Sequence, residues 1–303
     1  MLRQPVSELF DRGGLLLSPA RPDETTDDLN TGEIVELFER HGVLVFRGFT
    51  QSDADVSQLT DRFTEAYAPD ALRRRTRFNR KMIRDVDYGH NALPLHSEAS
   101  FAAAWPELLW FYCVTAPGTG GCTTLCDGAR LWRTLPAATR AMFVEEPLKY
   151  DVAVPVGVNE SETGVEPWPA TTPGVSGHIN WAKGIIELCV LRYAAHPTRN
   201  GDALAFANHL LASEPQIRDV RMAGGRRIDA DVVAEIRATA DRVTFDLQWQ
   251  ARDLVMIDNH RFMHGRRAYD LGVKRDIVQI QSQRASFAYG ATIRTARADR
   301  LAV

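Results

Sequence analysis

Cysteine is scarce in this chain. Cys113, Cys122, Cys126 and Cys189 are the only four in 303 residues, too few for a disulfide framework at this length, so thiols in a reducing compartment are expected. The spacing of Cys122 and Cys126 could suit a pair or a metal, but small buried hydrophobes are the favoured reading. A surplus of charge is also missing. Lys and Arg number 36 against 39 Asp and Glu, a net charge of −3, which gives no overall positive field for binding phosphate backbones. No run approaches the roughly 18 consecutive apolar residues of a membrane span, and the opening MLRQPVSELFDRGG has no secretory apolar region. The expectation is a cytoplasmic protein with no nucleic-acid or membrane partner.

What is present is an ordinary globular composition, 45% hydrophobic and 25% charged, enough to bury a sizeable core. One domain over 1–303 is expected, since no repeat, low-complexity tract or linker divides the chain. Residues 31–49 read as a helix with Ile34, Leu37 and Phe38 on one face, stopped at His41-Gly42 and followed by the strand VLVF. A second helix is expected over 52–66, opened by Ser52-Asp53. ELLWFYCVTAPGTGGCTTLCD at 107–127 reads as strand, turn and strand. Near the C-terminus a helix capped by Asp229 or Asp231 leads to VTFDLQW at 243–249, which alternates strictly, and then to DLVMIDN and KRDIVQIQSQRASF. Strands outnumber βαβ patterns, so the chain reads as mainly β with helices packed outside.

Two stretches look like inserted lid loops. The one near 68–92 crowds Arg73, Arg74, Arg75, Arg77, Arg80 and Lys81 together, either a solvated loop or a basic rim that draws in an anion. The one near 159–184 is rich in Gly, Pro, Ser and Thr and has no period.

The chemistry begins at LPLHSEASF, residues 93–101. On a strand, positions i and i+2 share a face, so His96 and Glu98 would sit side by side. Burying them unpartnered would cost several kcal/mol, and a divalent metal satisfies both. Either His260 or His264, beyond the strand DLVMIDN, could complete two histidines and one carboxylate, the facial triad of non-haem Fe(II) sites. Arg275, on a strand eleven residues after His264, asks for an anion, such as a dicarboxylate gripped bidentately.

LHSE at 95–98, PGTGGCTTL at 117–125, DNHRFMHGRRAY at 258–269 and GVLVFRGF at 42–49 together resemble the TauD/TfdA family of Fe(II)- and 2-oxoglutarate-dependent oxygenases, over about residues 31–287. The resemblance implies a double-stranded β-helix, or jelly roll, with His96, Glu98 and His264 as iron ligands. It also implies that Thr123 and Arg275 hold the distal carboxylate of 2-oxoglutarate, and its HGR sequence selects His264 over His260. By the same resemblance O₂ is a co-substrate, succinate and CO₂ are released, and an unactivated C–H bond is hydroxylated, desaturated or closed into a ring, with hydroxylation favoured.

Two departures narrow the substrate. Glu98 stands where aspartate is commoner, which resembles the subset containing clavaminate synthase and several amino-acid hydroxylases. Gln279 stands where taurine enzymes carry a second arginine, which argues against taurine. The retained carboxylate also argues against halogenation. The expected substrate is a small amino-acid-like or secondary-metabolite molecule, free or tethered to a carrier protein, and a homo-oligomer is allowed. Trp168, Trp181, Arg77 and Arg284 are candidate contacts. His41, His90, His178, His196 and His209 are expected in surface or core roles, with His90 and His178 near the pocket loops.

Two other readings compete. A zinc hydrolase would use the same three ligands and a metal-bound water, leaving Thr123 and Arg275 unexplained. A jelly-roll binding module without catalysis should have lost a ligand.

Overall fold

The computed structural model describes residues 1–5, 13–49, 52–69, 74–86, 89–156, 164–169 and 171–287. Two sheets face each other at its centre. The larger has nine strands, running in order through Leu2–Pro5, Leu15–Ser18, Val43–Phe46, Leu254–Asp258, Leu108–Thr115, Asp276–Ala285, Arg80–Asp85 and Thr76–Arg77, with Thr64–Tyr67 paired beside Asp276–Ala285. The smaller has four strands in the order Thr244–Leu247, Thr123–Asp127, Phe262–Arg266 and Leu93–His96. Their facing surfaces make this a double-stranded β-helix, as the resemblance implied.

Strand parity explains the layering. Along Leu108–Thr115, Leu109, Phe111 and Cys113 point into the space between the two sheets, where they meet Leu125, Phe245, Leu247 and Phe262 from the smaller sheet. The alternate residues Leu108, Trp110 and Tyr112 point outward and are covered by Ile34, Phe38, Val56, Leu59 and Phe63. Both faces are therefore dry, which is why this strand reads as one continuous apolar run.

The covering residues lie on the helices Thr31–His41 and Asp53–Phe63. The first starts at Asn30, whose side chain accepts the Glu33 N–H at 3.0 Å, and stops at Gly42 in the left-handed conformation. That stop falls where the sequence placed it. The second stops at Phe63, short of the expected 66, because Thr64–Tyr67 is captured as a strand by the pairing with Asp276–Ala285.

The two stretches read as loops are not structureless. Thr76–Arg77 and Arg80–Asp85 pair at the edge of the large sheet. Val165–Pro167 and Val175–Asn180 pair with each other in a separate five-stranded sheet with Ile185–Arg192, Leu148–Pro155 and Ile217–Met222. Arg73, residues 70–72, 87–88 and 159–163, and Ala170 from these stretches lie outside the described residues. The Gly- and Pro-rich composition hid the strands because long-range pairing, not local propensity, makes them. Among the described residues no helix is long and apolar enough to cross a membrane. All four cysteines are free thiols, three of them buried.

Thr123–Asp127 lies in the smaller sheet while Leu108–Thr115, its neighbour in sequence, lies in the larger, so the Pro-Gly connection crosses between sheets. A Cβ on Gly265 would come within 2.5 Å of the Leu93 carbonyl oxygen and 2.8 Å of Thr124 Oγ1. The strands beside His264 can approach only because residue 265 has no side chain. Gly265→Ala is expected to destabilise the fold by about 1–3 kcal/mol, read as a lower urea midpoint; an unchanged midpoint would show that the sheet yields there without strain.

Candidate metal and co-substrate site

Antiparallel pairing of Phe262–Arg266 with Leu93–His96 puts His264 directly opposite His96. The ring centroids are 4.3 Å apart. The strand ends at His96, so Glu98 sits in the turn that follows rather than on a shared strand face. It still returns to the same point: its Oε2 lies 3.6 Å from His96 Nε2 and 3.8 Å from His264 Nε2. One donor atom from each of the three falls within 4.8 Å of the others.

Asn259 holds the turn in place. Its side chain accepts the Glu98 N–H at 2.8 Å and donates to the carbonyls of Glu98 and Pro106, both at 2.9 Å. The Ser97 hydroxyl donates to the Asn259 carbonyl at 2.7 Å and accepts Trp105 Nε1–H at 2.9 Å. The Ser97 N–H is taken by the Asn208 carbonyl at 2.9 Å. A turn whose polar groups are satisfied from three sides has few alternatives.

The donor set fits a divalent metal. His96 Nδ1 lies 2.8 Å from the Pro94 carbonyl, so that nitrogen carries the hydrogen and Nε2 offers its lone pair to the cluster. Glu98 Oε1 accepts from Gln281 Nε2 at 2.6 Å and Arg74 at 3.2 Å, leaving Oε2 for the cluster. Burial alone would raise the Glu98 carboxyl, but the His96 contact and the Arg74 charge outweigh it and hold the group far below the usual carboxylate range. Burial, then the neighbouring His96, pushes His264 well below its ordinary value. Burial would also lower His96, but contact with Glu98 turns its shift upward. Two imidazoles and one carboxylate, with no thiolate, suit a hard or borderline ion such as Fe(II).

An anion site adjoins the cluster. Arg275 donates through Nε to the Gly121 carbonyl at 2.8 Å and lies 3.4 Å from Thr123 Oγ1. Gly121 is left-handed, and a Cβ there would press on Arg275 Cδ at 3.0 Å, so the Gly-Gly turn makes room for the guanidinium. Trp249 Nε1–H donates to the Thr123 hydroxyl at 3.1 Å, leaving the hydroxyl hydrogen to be given outward. Among the described residues no carboxylate pairs with Arg275, and burial together with the Arg266 charge lowers its pKa to about 10. A buried cation without a counter-ion is a place for one.

Three cavities meet here. One of about 40 Å³ is lined by His96, Glu98, His264, Thr123, Arg275 and Gln279. Arg275 also borders a cavity of about 410 Å³ with Arg77 and Tyr269. Glu98 also borders one of about 750 Å³, walled by Phe101, Val152, Val154, Trp168, Ile186 and Leu188, with His209, Glu214, Gln216, Gln281 and Gln283 among its polar groups.

The residues expected from the sequence divide sharply. His96, Glu98, His264, Thr123 and Arg275 come together. His260 packs against Trp105, ring centroids 4.0 Å apart, outside the cluster. Trp168 lines the large cavity, while Arg284 pairs with Glu65 at 3.0 Å with both side chains more than half exposed. Arg77 is engaged by Asp85 and Asp276, and His178 lies 3.0 Å from Glu187. Of the basic run, Arg74 reaches Glu98, while Arg75 and Arg77 border the cavity beside Arg275. The sequence reading missed Asn259, Gln281 and His209. The alternation Gln279, Gln281, Gln283 on one strand face carried a signal, since three amides facing a core need partners there.

The class that the comparisons give this chain is a non-haem iron dioxygenase that uses 2-oxoglutarate. The sequence matches the family described as Taurine catabolism dioxygenase TauD, TfdA over residues 16–281, and the chain belongs to that family. It is similar to the tyrosine isonitrile desaturase of Pseudomonas aeruginosa, 25% identical over 268 residues that cover 85% of this chain and 83% of the relative. It is also similar to the 3-((Z)-2-isocyanoethenyl)-1H-indole synthase of Fischerella ambigua, 19% identical over 289 residues, 88% of this chain and 91% of the relative. Among solved structures, PvcB from Pseudomonas aeruginosa matches with a TM-score of 0.61 at 17% identity, over 89% of this chain and 86% of that one. AAD-2 in complex with Mn(II) and N-oxalylglycine matches at 0.60 and 17% identity, over 95% and 99%. At these identities the structural matches show a shared fold.

Asn259→Ala is expected to cost about 1–3 kcal/mol for each buried group it strands, measured by chemical denaturation. A loss below about 1 kcal/mol would show that the turn does not need this clamp.

Proposed function

We propose that His96, Glu98 and His264 hold Fe(II), that Thr123 and Arg275 hold the distal carboxylate of 2-oxoglutarate, and that one domain spanning the chain oxidises an unactivated C–H bond of a small amino-acid-derived molecule in the large cavity. The observation that carries this is the convergence of three metal-type donors beside a buried arginine with no carboxylate partner among the described residues. Held there, Fe(II) and 2-oxoglutarate would supply the oxidative chemistry with O₂, 2-oxoglutarate being converted to succinate and CO₂ as the substrate is oxidised.

The protein's part is geometry and exclusion. Pro94 fixes the tautomer of His96; Gln281 and Arg74 aim the Glu98 carboxylate; Arg275 and Thr123 orient the co-substrate. Phe111 packs edge-on against His264, ring centroids 5.4 Å apart, on the side of the inter-sheet core, and keeps water from that face. The hydrocarbon wall of the large cavity takes the apolar body of a substrate and gives it the orientation that selects one C–H bond.

Hydroxylation and desaturation differ in the product. The family resemblance favours hydroxylation, while two similar proteins are named tyrosine isonitrile desaturase, which supports desaturation of an amino-acid-derived substrate. Mass spectrometry separates them, since one product gains oxygen and the other loses two hydrogens.

Anaerobic titration with Fe(II) and 2-oxoglutarate tests the site. Wild-type protein is expected to develop the weak visible charge-transfer band of the chelate, His264→Ala to lack it, and Arg275→Ala to need about a hundredfold more co-substrate, the size expected for breaking a buried charge pair. No band in folded, iron-loaded wild type would overturn the assignment in favour of a hydrolase or a binding module.

A further inference from the structure

The proposed function leaves one buried polar pair in the large cavity without a task. His209 is 1% exposed, and its ring lies between Phe101 and His96, with centroids 4.8 and 5.0 Å away. Its Nδ1 faces the Ser97 carbonyl at 3.4 Å, a contact that only an N–H can satisfy. That leaves a lone pair on Nε2. This nitrogen is buried and has no hydrogen-bond partner. The nearest carboxylate oxygen, Glu214 Oε1, is 3.7 Å away, beyond hydrogen-bonding distance. Two acceptors thus face each other at the wall of a cavity with nothing between them to donate. Gln216 Oε1, on the same wall, is a further buried acceptor with no partner.

Charge points the same way. Arg74 is the one arginine or lysine lining this cavity among the described residues, and it is turned to Glu98, 3.2 Å away. Among the described residues lining this cavity, no arginine or lysine therefore faces the Glu214 carboxylate. A buried acceptor without a donor costs free energy that a suitable ligand would recover, and a site built to hydrogen-bond one group rejects analogues that lack it.

We propose that His209 and Glu214 form a recognition site for an ammonium group of the substrate, which donates to both and anchors it with the apolar body lying along Val152, Val154, Trp168, Ile186 and Leu188. The proposal rests on the large cavity being the substrate site of the oxygenase described above. Because His209 touches the His96 ring, the anchored group sits close to the metal donors, and the oxidised carbon lies within a few bonds of the amine nitrogen. The substrate of this chain then keeps its amino group, unlike a substrate whose nitrogen has already become an isonitrile. His209 and Glu214 are specificity-determining residues on this account.

The test compares two probes of similar shape, phenethylamine, charged at pH 7, and phenethyl methyl ether, which has no donor. Each is titrated calorimetrically into wild-type protein and Glu214→Gln, both saturated with Mn(II) and 2-oxoglutarate under anaerobic conditions so that Glu98 is engaged. Wild type is expected to bind the amine at least about tenfold more tightly than the ether, the value of one partly desolvated charge contact. Glu214→Gln is expected to bring the two to within about threefold of each other without weakening the ether. Equal affinities in wild type, absence of amine binding, or a preference that survives Glu214→Gln would each overturn the proposal. The wild-type comparison stands alone if the variant fails to fold. Binding of Mn(II) and 2-oxoglutarate is measured first in the same samples, so failure of the metal-site assignment shows itself separately, and the amine preference is then read on the unloaded protein against Glu214→Gln.

Discussion

The register that sets His264 opposite His96 is the constraint on which the rest of this structure depends. In a sheet a slip of one residue turns every side chain to the other face. Such a slip would send His264 away from the cavity and bring Met263 or Gly265 in its place. Gly265 allows the close approach of the two strands at this point, and the turn after His96 is tied down by Asn259 and Asn208 so that Glu98 returns to the same spot. The donor cluster is the meeting point of a strand pair and a clamped turn, neither of which would place it alone.

The two sheets divide the work. The smaller contributes both histidines and Thr123. The larger contributes Arg275 just before Asp276–Ala285, and that strand's inward face supplies Gln279 and Gln281. Between them Ile277, Phe111 and Leu125 make a dry base. Polar groups at the cluster end of the inter-sheet space find partners across sheets, Gln281 on Glu98 and Arg275 on the Gly121 carbonyl, and within the smaller sheet Trp249 holds Thr123. The five-stranded sheet adds a third part, an apolar wall with Val152, Val154, Ile186 and Leu188 over the open side of the cluster. A generic oxidising centre is thus joined to a wall that can change without disturbing it.

Much of this was legible in the sequence, for reasons that differ by element. The helix over 31–41 carried both periodicity and a Gly stop, so local pattern sufficed there, while the alternation of VTFDLQW overran its strand, which is Thr244–Leu247 because Val243 still belongs to the helix Ala230–Val243. That His96, Glu98, His264, Thr123 and Arg275 converge was legible because their motifs occur together and in order. The strands at 165–167 and 175–180 were not, because their composition is that of a loop and only pairing with distant segments orders them. Glu98 was placed on a strand because side-chain period alone cannot show where a strand ends. Asn259 stood in plain view next to His260, but an asparagine that joins three backbone groups looks the same in sequence as one facing water. His209 and Glu214 lie more than a hundred residues beyond His96 in the chain, and only the tertiary fold brings them to it.

The most direct measurement is a crystal structure of the protein grown with Mn(II) and N-oxalylglycine, with anomalous scattering used to locate the metal. The account predicts one metal bound by His96 Nε2, Glu98 and His264 Nε2, with the distal carboxylate of N-oxalylglycine on Arg275 and Thr123. Metal bound elsewhere, or a co-substrate analogue that leaves Arg275 unpaired, would contradict it.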